Sequence, residues 1–233
     1  MSDKLRVGIV LTGISHDLSG SILSGWGQSV KRTFRTYYHN FFEYIYSPIK
    51  ETCDVSLYLT TYNNGVEDEL LRVYKPNNYV FLNPENSKMR KTYLISIFSV
   101  MQFAKDVDIF VFTRFDVEFY KKFTELDVDL DKINFLFKEI WSVPEITETS
   151  DVLFVVPRSL LVEFLAGVQK CDEDPRRIDC NGDLHDLYDK LSKMIGEDKL
   201  HIMSKVQQHS GLRNVYFDLA KNQQPKEIIN NDV

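Results

Sequence analysis

Short apolar runs alternate along the chain with longer segments in which apolar residues recur every three or four positions. The short runs are rich in β-branched and aromatic residues, which is typical of buried strands. They lie at residues 6–11, 54–60, 79–82, 107–112, 151–156, 200–203 and 215–219. Because these strands alternate with helical segments, the pattern predicts an α/β fold. Its central sheet is expected to be mostly parallel, flanked by helices and joined by right-handed crossovers.

Helical periodicity predicts four helices. The first is long and amphipathic, over residues 28–49, and its aromatic stripe is the pattern of a face that packs on a core. The second begins at the N-cap residue Ser87. The third and fourth cover residues 159–168 and 183–194, and Gly196 is predicted to end the last one. These helices supply the apolar faces that a buried sheet needs.

The length of the chain indicates a single domain. A chain of 233 residues can bury a sizeable core without disulfides or a structural metal ion. We predict one domain over residues 1–220, followed by a polar tail or linker at residues 221–233 that is rich in Asn, Gln and Lys. Such a linker would also suit further domains of a longer chain. The chemistry is therefore expected within residues 1–220.

Charge and cysteine usage exclude several classes of protein. The net charge of −6 leaves no basic footprint, so no nucleic-acid partner is expected. Cys53, Cys171 and Cys180 lack metal-type spacing and indicate free thiols, which predicts a cytoplasmic location. The apolar run after Arg6 is too short for a signal peptide or a membrane span, so no membrane-spanning segment is expected.

Residues 107–120, VDIFVFTRFDVEFY, carry the strongest chemical signal. The segment begins as a strand that is apolar on both faces, as a central strand covered by helices requires. It ends in Arg114, Asp116 and Glu118, which would project from one face if the chain stays extended. Ligands of open α/β sheets bind beyond the carboxyl ends of strands. Two carboxylates and a guanidinium there could hold a divalent metal ion and the anion that the metal carries.

A second signal is the basic start of the helix that precedes this strand. Lys88, Arg90 and Lys91 occupy its first turn. Cations at that end oppose the helix dipole, at a cost of roughly 0.3–1 kcal/mol each. A bound phosphate would turn that cost into an anion site. We interpret the turn either as a phosphate contact or as a solvated basic surface.

The order of these segments resembles glycosyltransferases of the GT-A fold. The resemblance is carried by the long first helix, the DVSLYLTTY strand, the basic-headed helix, the IFVFTRFDVEF strand and the later SDVLFVVPRSLLVEF segment. Over residues 5–219 the chain is similar to the N-terminal transferase domain of proteins with which large algal viruses glycosylate their capsids. The Asp-x-Asp motif of that family reads Asp116-Val117-Glu118 here. The resemblance implies one Rossmann-like domain of the GT-A type.

The resemblance also implies roles for the candidate residues. Asp116 and Glu118 would bind Mn²⁺ or Mg²⁺, a Lewis acid that neutralises the leaving diphosphate. His209 would complete the metal shell, as a late histidine does in some such enzymes, and the alternative is a surface histidine. Contacts to the donor nucleotide are expected from Thr12, Gly13, Tyr62, Lys88, Arg90, Lys91, Arg114 and Asp116.

A catalytic base near the acceptor hydroxyl is needed if the transfer inverts configuration. Asp151 heads a strand and Asp183 heads a helix, and both are candidates on the acceptor side. For each of them the alternative is a capping or surface role. The sequence alone does not choose between inversion and retention.

The predicted function is a metal-dependent glycosyltransferase. It would move a sugar from a nucleoside diphosphate, expected to be a UDP-sugar, to a glycan or glycoprotein acceptor such as a viral capsid glycan in the host cytoplasm. The first alternative is a catalytically silent module of the same fold that binds nucleotide or glycan. The second is a nucleotidyltransferase, although residues 12–16, TGISH, lack the glycine-rich basic loop usual in that class.

Overall fold

The structure is a computed structural model that describes residues 4–17, 32–83, 89–140, 147–173, 184–208 and 216–219. The strands within these ranges are β1 Arg6–Thr12, β2 His16–Asp17, β3 Arg32–Thr33, β4 Asp54–Tyr62, β5 Asn78–Leu82, β6 Ile109–Arg114, β7 Val117–Phe119, β8 Ile133–Phe135, β9 Leu153–Pro157, β10 Leu200–Ile202 and β11 Phe217–Leu219. The α-helices are α1 Phe34–Phe41, α2 Ser47–Thr52, α3 Glu67–Tyr74, α4 Met89–Phe103, α5 Leu161–Glu173 and α6 Leu187–Ile195.

Seven strands form the central sheet, in the order β10-β8-β9-β6-β1-β4-β5. β1 is parallel to both of its neighbours, β4 and β6, and β4 is parallel to β5. β9 runs antiparallel to β6 and to β8, whereas β8 and β10 are parallel to each other. The sheet is therefore mostly parallel, as the alternation of strands and helices predicts.

Helices cover both faces of this sheet, and the strand sequences explain why. In β6, Ile109 and Val111 face one hydrophobic cluster while Phe110 and Phe112 face the other, because successive side chains of a strand point to opposite faces. α1, α2 and α3 contribute buried residues to the first cluster, and α4, α5 and α6 contribute to the second. The predicted α/β fold, with a central sheet flanked by helices, is confirmed.

Most of the predicted elements are present, with shifted ends. The long first helix is continuous from Phe34 to Thr52, with a π-helical turn at Phe42–Tyr46, and residues 28–31 of the prediction lie outside the described ranges. α6 begins at Leu187, later than the predicted residue 183, and it ends before Gly196 as predicted. α3 was not predicted. The Ser87 cap and the tail at residues 221–233 also lie outside the described ranges.

No helix within the described ranges is both long and apolar enough to cross a lipid bilayer.

Candidate functional site

The strand order reverses beside β1. The chain steps from β1 to β4 and β5 on one side and then returns to place β6 on the other side of β1. At the carboxyl edge, Thr12 of β1 lies opposite Thr60 on β4 and opposite Arg114 on β6. Ligands of open α/β sheets bind in the crevice at such a reversal. This edge is therefore the candidate site.

A buried ion group lies where β6 ends. The guanidinium of Arg114 donates from Nε to Oδ1 and from Nη2 to Oδ2 of Asp116, both at 2.9 Å. Its Nη1 lies 3.6 Å from Oδ1 of Asp151. The side chains of Arg114, Asp116 and Asp151 are only 9%, 7% and 4% exposed. The two-pronged contact fixes the Asp116 carboxylate in one orientation.

Arg114 stays charged in this environment. Burial alone lowers the pKa of a guanidinium, but the carboxylates of Asp116 and Asp151 more than offset it and raise the pKa of Arg114. The hydroxyl of Tyr93 on α4 donates to the backbone carbonyl of Asp151 at 3.0 Å. Burial raises the pKa of Tyr93, so its hydroxyl stays protonated and remains a donor. The hydrogen bond from Tyr93 thus connects the ion group to α4, and Asp151 connects it to β9, which begins two residues later.

Beyond β6 the chain turns at residues 115–116 and continues as β7. Phe115, Val117 and Phe119 are buried in the cluster formed with α1, α2 and α3. Glu118 stands between Val117 and Phe119 in β7 and projects away from that cluster by alternation, whereas Asp116 lies in the turn with its carboxylate directed to Arg114. Glu118 is only partly buried, unlike Asp116. β7 pairs with β11, and there Glu118 lies opposite Asp218 in an antiparallel register.

The donor set of this segment suits a hard divalent cation. Mg²⁺ usually keeps several waters and binds through one or two carboxylates plus the phosphates of its substrate. Asp116 and Glu118 offer two such carboxylates. The carboxylates of Asp116 and Asp151, which contact Arg114, outnumber its single guanidinium. Within the described residues no group of three potential metal ligands from His, Cys, Asp and Glu comes together, so the remaining ligands would be water and phosphate oxygens.

The residues predicted to contact the nucleoside lie at the same edge. Thr12 is fully buried, and its hydroxyl lies 3.0 Å from that of Ser96 on α4. Gly13 has a φ of +102°, a conformation that favours glycine, and its N–H donates to the carbonyl of Thr60 at 3.2 Å. Tyr62 ends β4 and is 3% exposed. The structure brings Thr12, Gly13 and Tyr62 to the carboxyl edge, with Thr12 held in place by α4.

A polar network next to these residues was not predicted. The hydroxyl of Thr61 donates to Ser15 Oγ at 2.9 Å, and Nδ2 of Asn64 donates to the carbonyl of His16 at 2.8 Å. Nδ1 of His16 lies 3.2 Å from Oγ1 of Thr33, and burial lowers the pKa of His16. The signal in the sequence was the polar run that follows each of the first two predicted strands.

The other predicted residues are only partly described. Arg90 and Lys91 lie in the first turn of α4, which starts at this edge because it follows the carboxyl end of β5. Lys88, Asp183 and His209 lie outside the described ranges. Asp151 is brought to the site as a partner of Arg114, and its role as a base stays a prediction.

No family model and no curated protein sequence matches the chain. Among solved structures, the chain is similar to the nucleoside-diphosphate-sugar pyrophosphorylase from Vibrio cholerae RC9. The TM-score is 0.48 and the identity 12%, over 85% of this chain and 92% of that one. Similarity at this level assigns no function, so the functional interpretation rests on the geometry of the site.

Proposed function

We propose that the protein is a metal-dependent glycosyltransferase that moves a sugar from a nucleoside diphosphate, a uridine one, to a glycan or glycoprotein acceptor. The observation that carries the proposal is the position of Asp116 and Glu118. They follow the central strand β6 at the point where the strand order reverses. That position is where an open α/β sheet binds its ligand.

Each residue at this edge would have a role in the transfer of the sugar. Breaking the bond between the sugar and the diphosphate leaves negative charge on the diphosphate, and a divalent cation bound there would neutralise it. Asp116 and Glu118 would hold the cation, and Arg114 would keep Asp116 oriented through its two hydrogen bonds at 2.9 Å. Thr12, Gly13 and Tyr62 would border the nucleoside, and the basic first turn of α4 would face the phosphates.

A catalytically silent binding module is the second candidate, and one observation favours it. Arg114 already binds both Asp116 and Asp151 in a nearly closed ion group. A group of this kind also serves as a purely structural contact. Nucleotide binding without turnover would be the expected behaviour of such a module.

Glu118 provides the cleaner test of the site, because it is only partly buried and its replacement leaves the Arg114 ion group intact. UDP titrated calorimetrically into the parent protein is expected to bind more tightly with MnCl₂ than without. Glu118→Gln should weaken the manganese-dependent binding roughly 10–100-fold, since a lost charged contact is worth about 1.5–3 kcal/mol.

The matched control is Asp127→Asn. Asp127 is 75% exposed, and its neighbours Leu126 and Val128 pack beside the opposite edge of the sheet, near the start of β1. This variant should bind UDP as the parent does. If Glu118→Gln and the parent bind UDP equally well in the presence of manganese, the metal site is assigned wrongly.

Turnover separates the candidate functions. The parent protein, incubated with manganese and UDP-glucose, UDP-galactose or UDP-N-acetylglucosamine, is expected to release UDP. Binding without release of UDP would favour the silent module. Release of pyrophosphate from a nucleoside triphosphate and a sugar phosphate would show a nucleotidyltransferase instead.

A further inference from the structure

A histidine and a buried glutamate lie together beside the candidate site. His185 occupies the turn before α6, and its side chain is 24% exposed. Its Nδ1 lies 2.8 Å from the carbonyl oxygen of Thr149 and 3.7 Å from Oε1 of Glu139. Glu139 is 2% exposed. Neither residue belongs to the ion group of Arg114, Asp116 and Asp151.

The imidazole is held in one orientation. The N–H of Thr149 donates to the carbonyl of His185 at 2.9 Å, while Nδ1 of His185 donates to the carbonyl of Thr149. This reciprocal pair fixes the tautomer with the proton on Nδ1. The basic lone pair of the neutral ring is then on Nε2. Glu139 would stabilise the ring once it takes up a proton, because an opposite charge nearby favours the charged form.

The pair is close to the ion group of the site. Thr149 is two residues before Asp151, whose carboxylate contacts Arg114. Consecutive Cα atoms are about 3.8 Å apart, so Thr149 and Asp151 are separated by less than about 8 Å. His185, anchored on Thr149, is therefore placed at the same end of the sheet as Asp151 and its partner Arg114.

We infer that His185, oriented by Thr149 and Glu139, is the general base that activates the acceptor hydroxyl, with an inverting transfer as the outcome. The hydroxyl proton moves to Nε2 of His185, and the hydroxyl oxygen bonds to the anomeric carbon of the donor sugar. The bond from that carbon to the diphosphate oxygen breaks, and its electron pair leaves on the nucleoside diphosphate. This arrangement follows the general logic of a base oriented by a third group.

The inference rests on the proposed glycosyltransferase function, and it replaces Asp151 as the base. The carboxylate of Asp151 is only 4% exposed and lies 3.6 Å from the guanidinium of Arg114, so it serves as the ion partner of Arg114 and is closed off from an acceptor hydroxyl. Imidazole is the side chain most often used as a general base near neutral pH. The same base would activate water when no acceptor is present, so donor hydrolysis reports on it.

The test uses His185→Asn, because the amide nitrogen of Asn can replace Nδ1 as the donor to Thr149 while Nε2 is lost. With whichever of the three UDP-sugars the parent hydrolyses fastest, kcat for UDP release should fall roughly 100-fold or more, the usual range for a general base. The dissociation constant for UDP with manganese should not change. Added imidazole should restore part of the activity of His185→Ala.

The control is His201→Gln. His201 is 25% exposed, and its Nε2 lies 2.7 Å from the carbonyl of Asp127 and 3.5 Å from its carboxylate. Like His185, His201 has a ring nitrogen near a backbone carbonyl and a carboxylate, but it lies on β10, away from the site. The His201→Gln variant should therefore retain the parental kcat. Parental kcat in His185→Asn, with parental UDP binding, overturns the inference but leaves the proposed function standing. A parent that hydrolyses no UDP-sugar overturns both.

Discussion

At the scale of single residues, Arg114 holds together the two buried carboxylates of the candidate site. Its guanidinium contacts Asp116 from the turn after β6 and Asp151 from the segment before β9. Two buried carboxylates without this partner would be uncompensated charges, whose cost exceeds what the ion contacts themselves contribute. Arg114 is therefore a structural requirement of the site as well as a source of positive charge in it.

Replacement of Arg114 should strongly destabilise the fold. Arg114→Met leaves Asp116 and Asp151 without their cation, and breaking a buried pair typically costs about 3–5 kcal/mol. The free energy of unfolding measured in urea is expected to fall by that amount. The control is Arg6→Met, since Arg6 and its partner Asp108 are 51% and 37% exposed, and an exposed pair is worth about 1 kcal/mol or less. Equal losses in the two variants would contradict this account.

The sequence predicted which residues gather at this edge better than it predicted how they contact one another. Arg114, Asp116 and Glu118 are recognisable because they follow an apolar strand. The contact from Arg114 to Asp151 was not predictable, because Asp151 comes from a segment 37 residues later that the sheet folds back beside β6. His185 gave no signal, because its partners Glu139 and Thr149 are distant in sequence.

At the scale of elements, Gly196 determines where α6 ends. Its φ is +88°, and its N–H donates to the carbonyl of Ser192 at 3.0 Å. A Cβ at this position would lie 2.6 Å from Oδ1 of Asp198. Only glycine adopts this conformation without strain, which is why the chain can leave the helix and enter β10.

Gly196→Ala should therefore lower stability by about 1–3 kcal/mol, the usual cost of a strained backbone conformation. The measurement is the urea midpoint of unfolding. Lys193→Ala on the same helix is the control, because Lys193 is 66% exposed and its pair with Asp189 is worth only about 0.3–0.5 kcal/mol. An alanine at position 196 that leaves the midpoint unchanged would refute the argument from backbone strain.

The sequence predicted elements well where the hydrophobic pattern was long and continuous. β1, β4 and β6 lie within about two residues of their predicted ends. α3 was missed because its buried residues, Leu70 and Tyr74, stand among charged neighbours. The antiparallel direction of β9 could not be predicted either, because a fully apolar strand has the same hydrophobic pattern whether it runs parallel or antiparallel to its neighbour.

At the scale of the whole molecule, ion pairs join elements that are distant in sequence. Arg35 of α1 donates from Nε to Oε1 of Glu69 on α3 at 2.9 Å. The hydrogen bond from Arg35 is the main cause that lowers the pKa of Glu69 below its ordinary value of 4.5. The folded protein therefore binds fewer protons at Glu69 than the unfolded chain does. This stabilisation is complete above pH 4.5 and is lost as the pH falls through the lowered pKa.

The stability of the parent should accordingly decrease more steeply below pH 4.5 than that of Glu69→Gln. Urea unfolding at a series of pH values from 7 downward, roughly one unit apart, measures both slopes. Glu51→Gln, at an exposed position on α2, serves as the control and should retain the parental slope. Parallel curves for the parent and Glu69→Gln would show that this ion pair does not contribute to acid sensitivity.

The pairing of β7 with β11 has a consequence for synthesis on the ribosome. Phe119, beside the acidic segment, pairs with Phe217 from near the end of the described chain. Because translation runs from the amino terminus, β1, β4, β5 and β6 emerge long before β11 does. The pairing of β7 with β11 also closes a loop of roughly 100 residues, and such long-range pairing is slow. The segment with Asp116 and Glu118 therefore gains its partner strand late, and a nascent chain does not present a finished binding site before then.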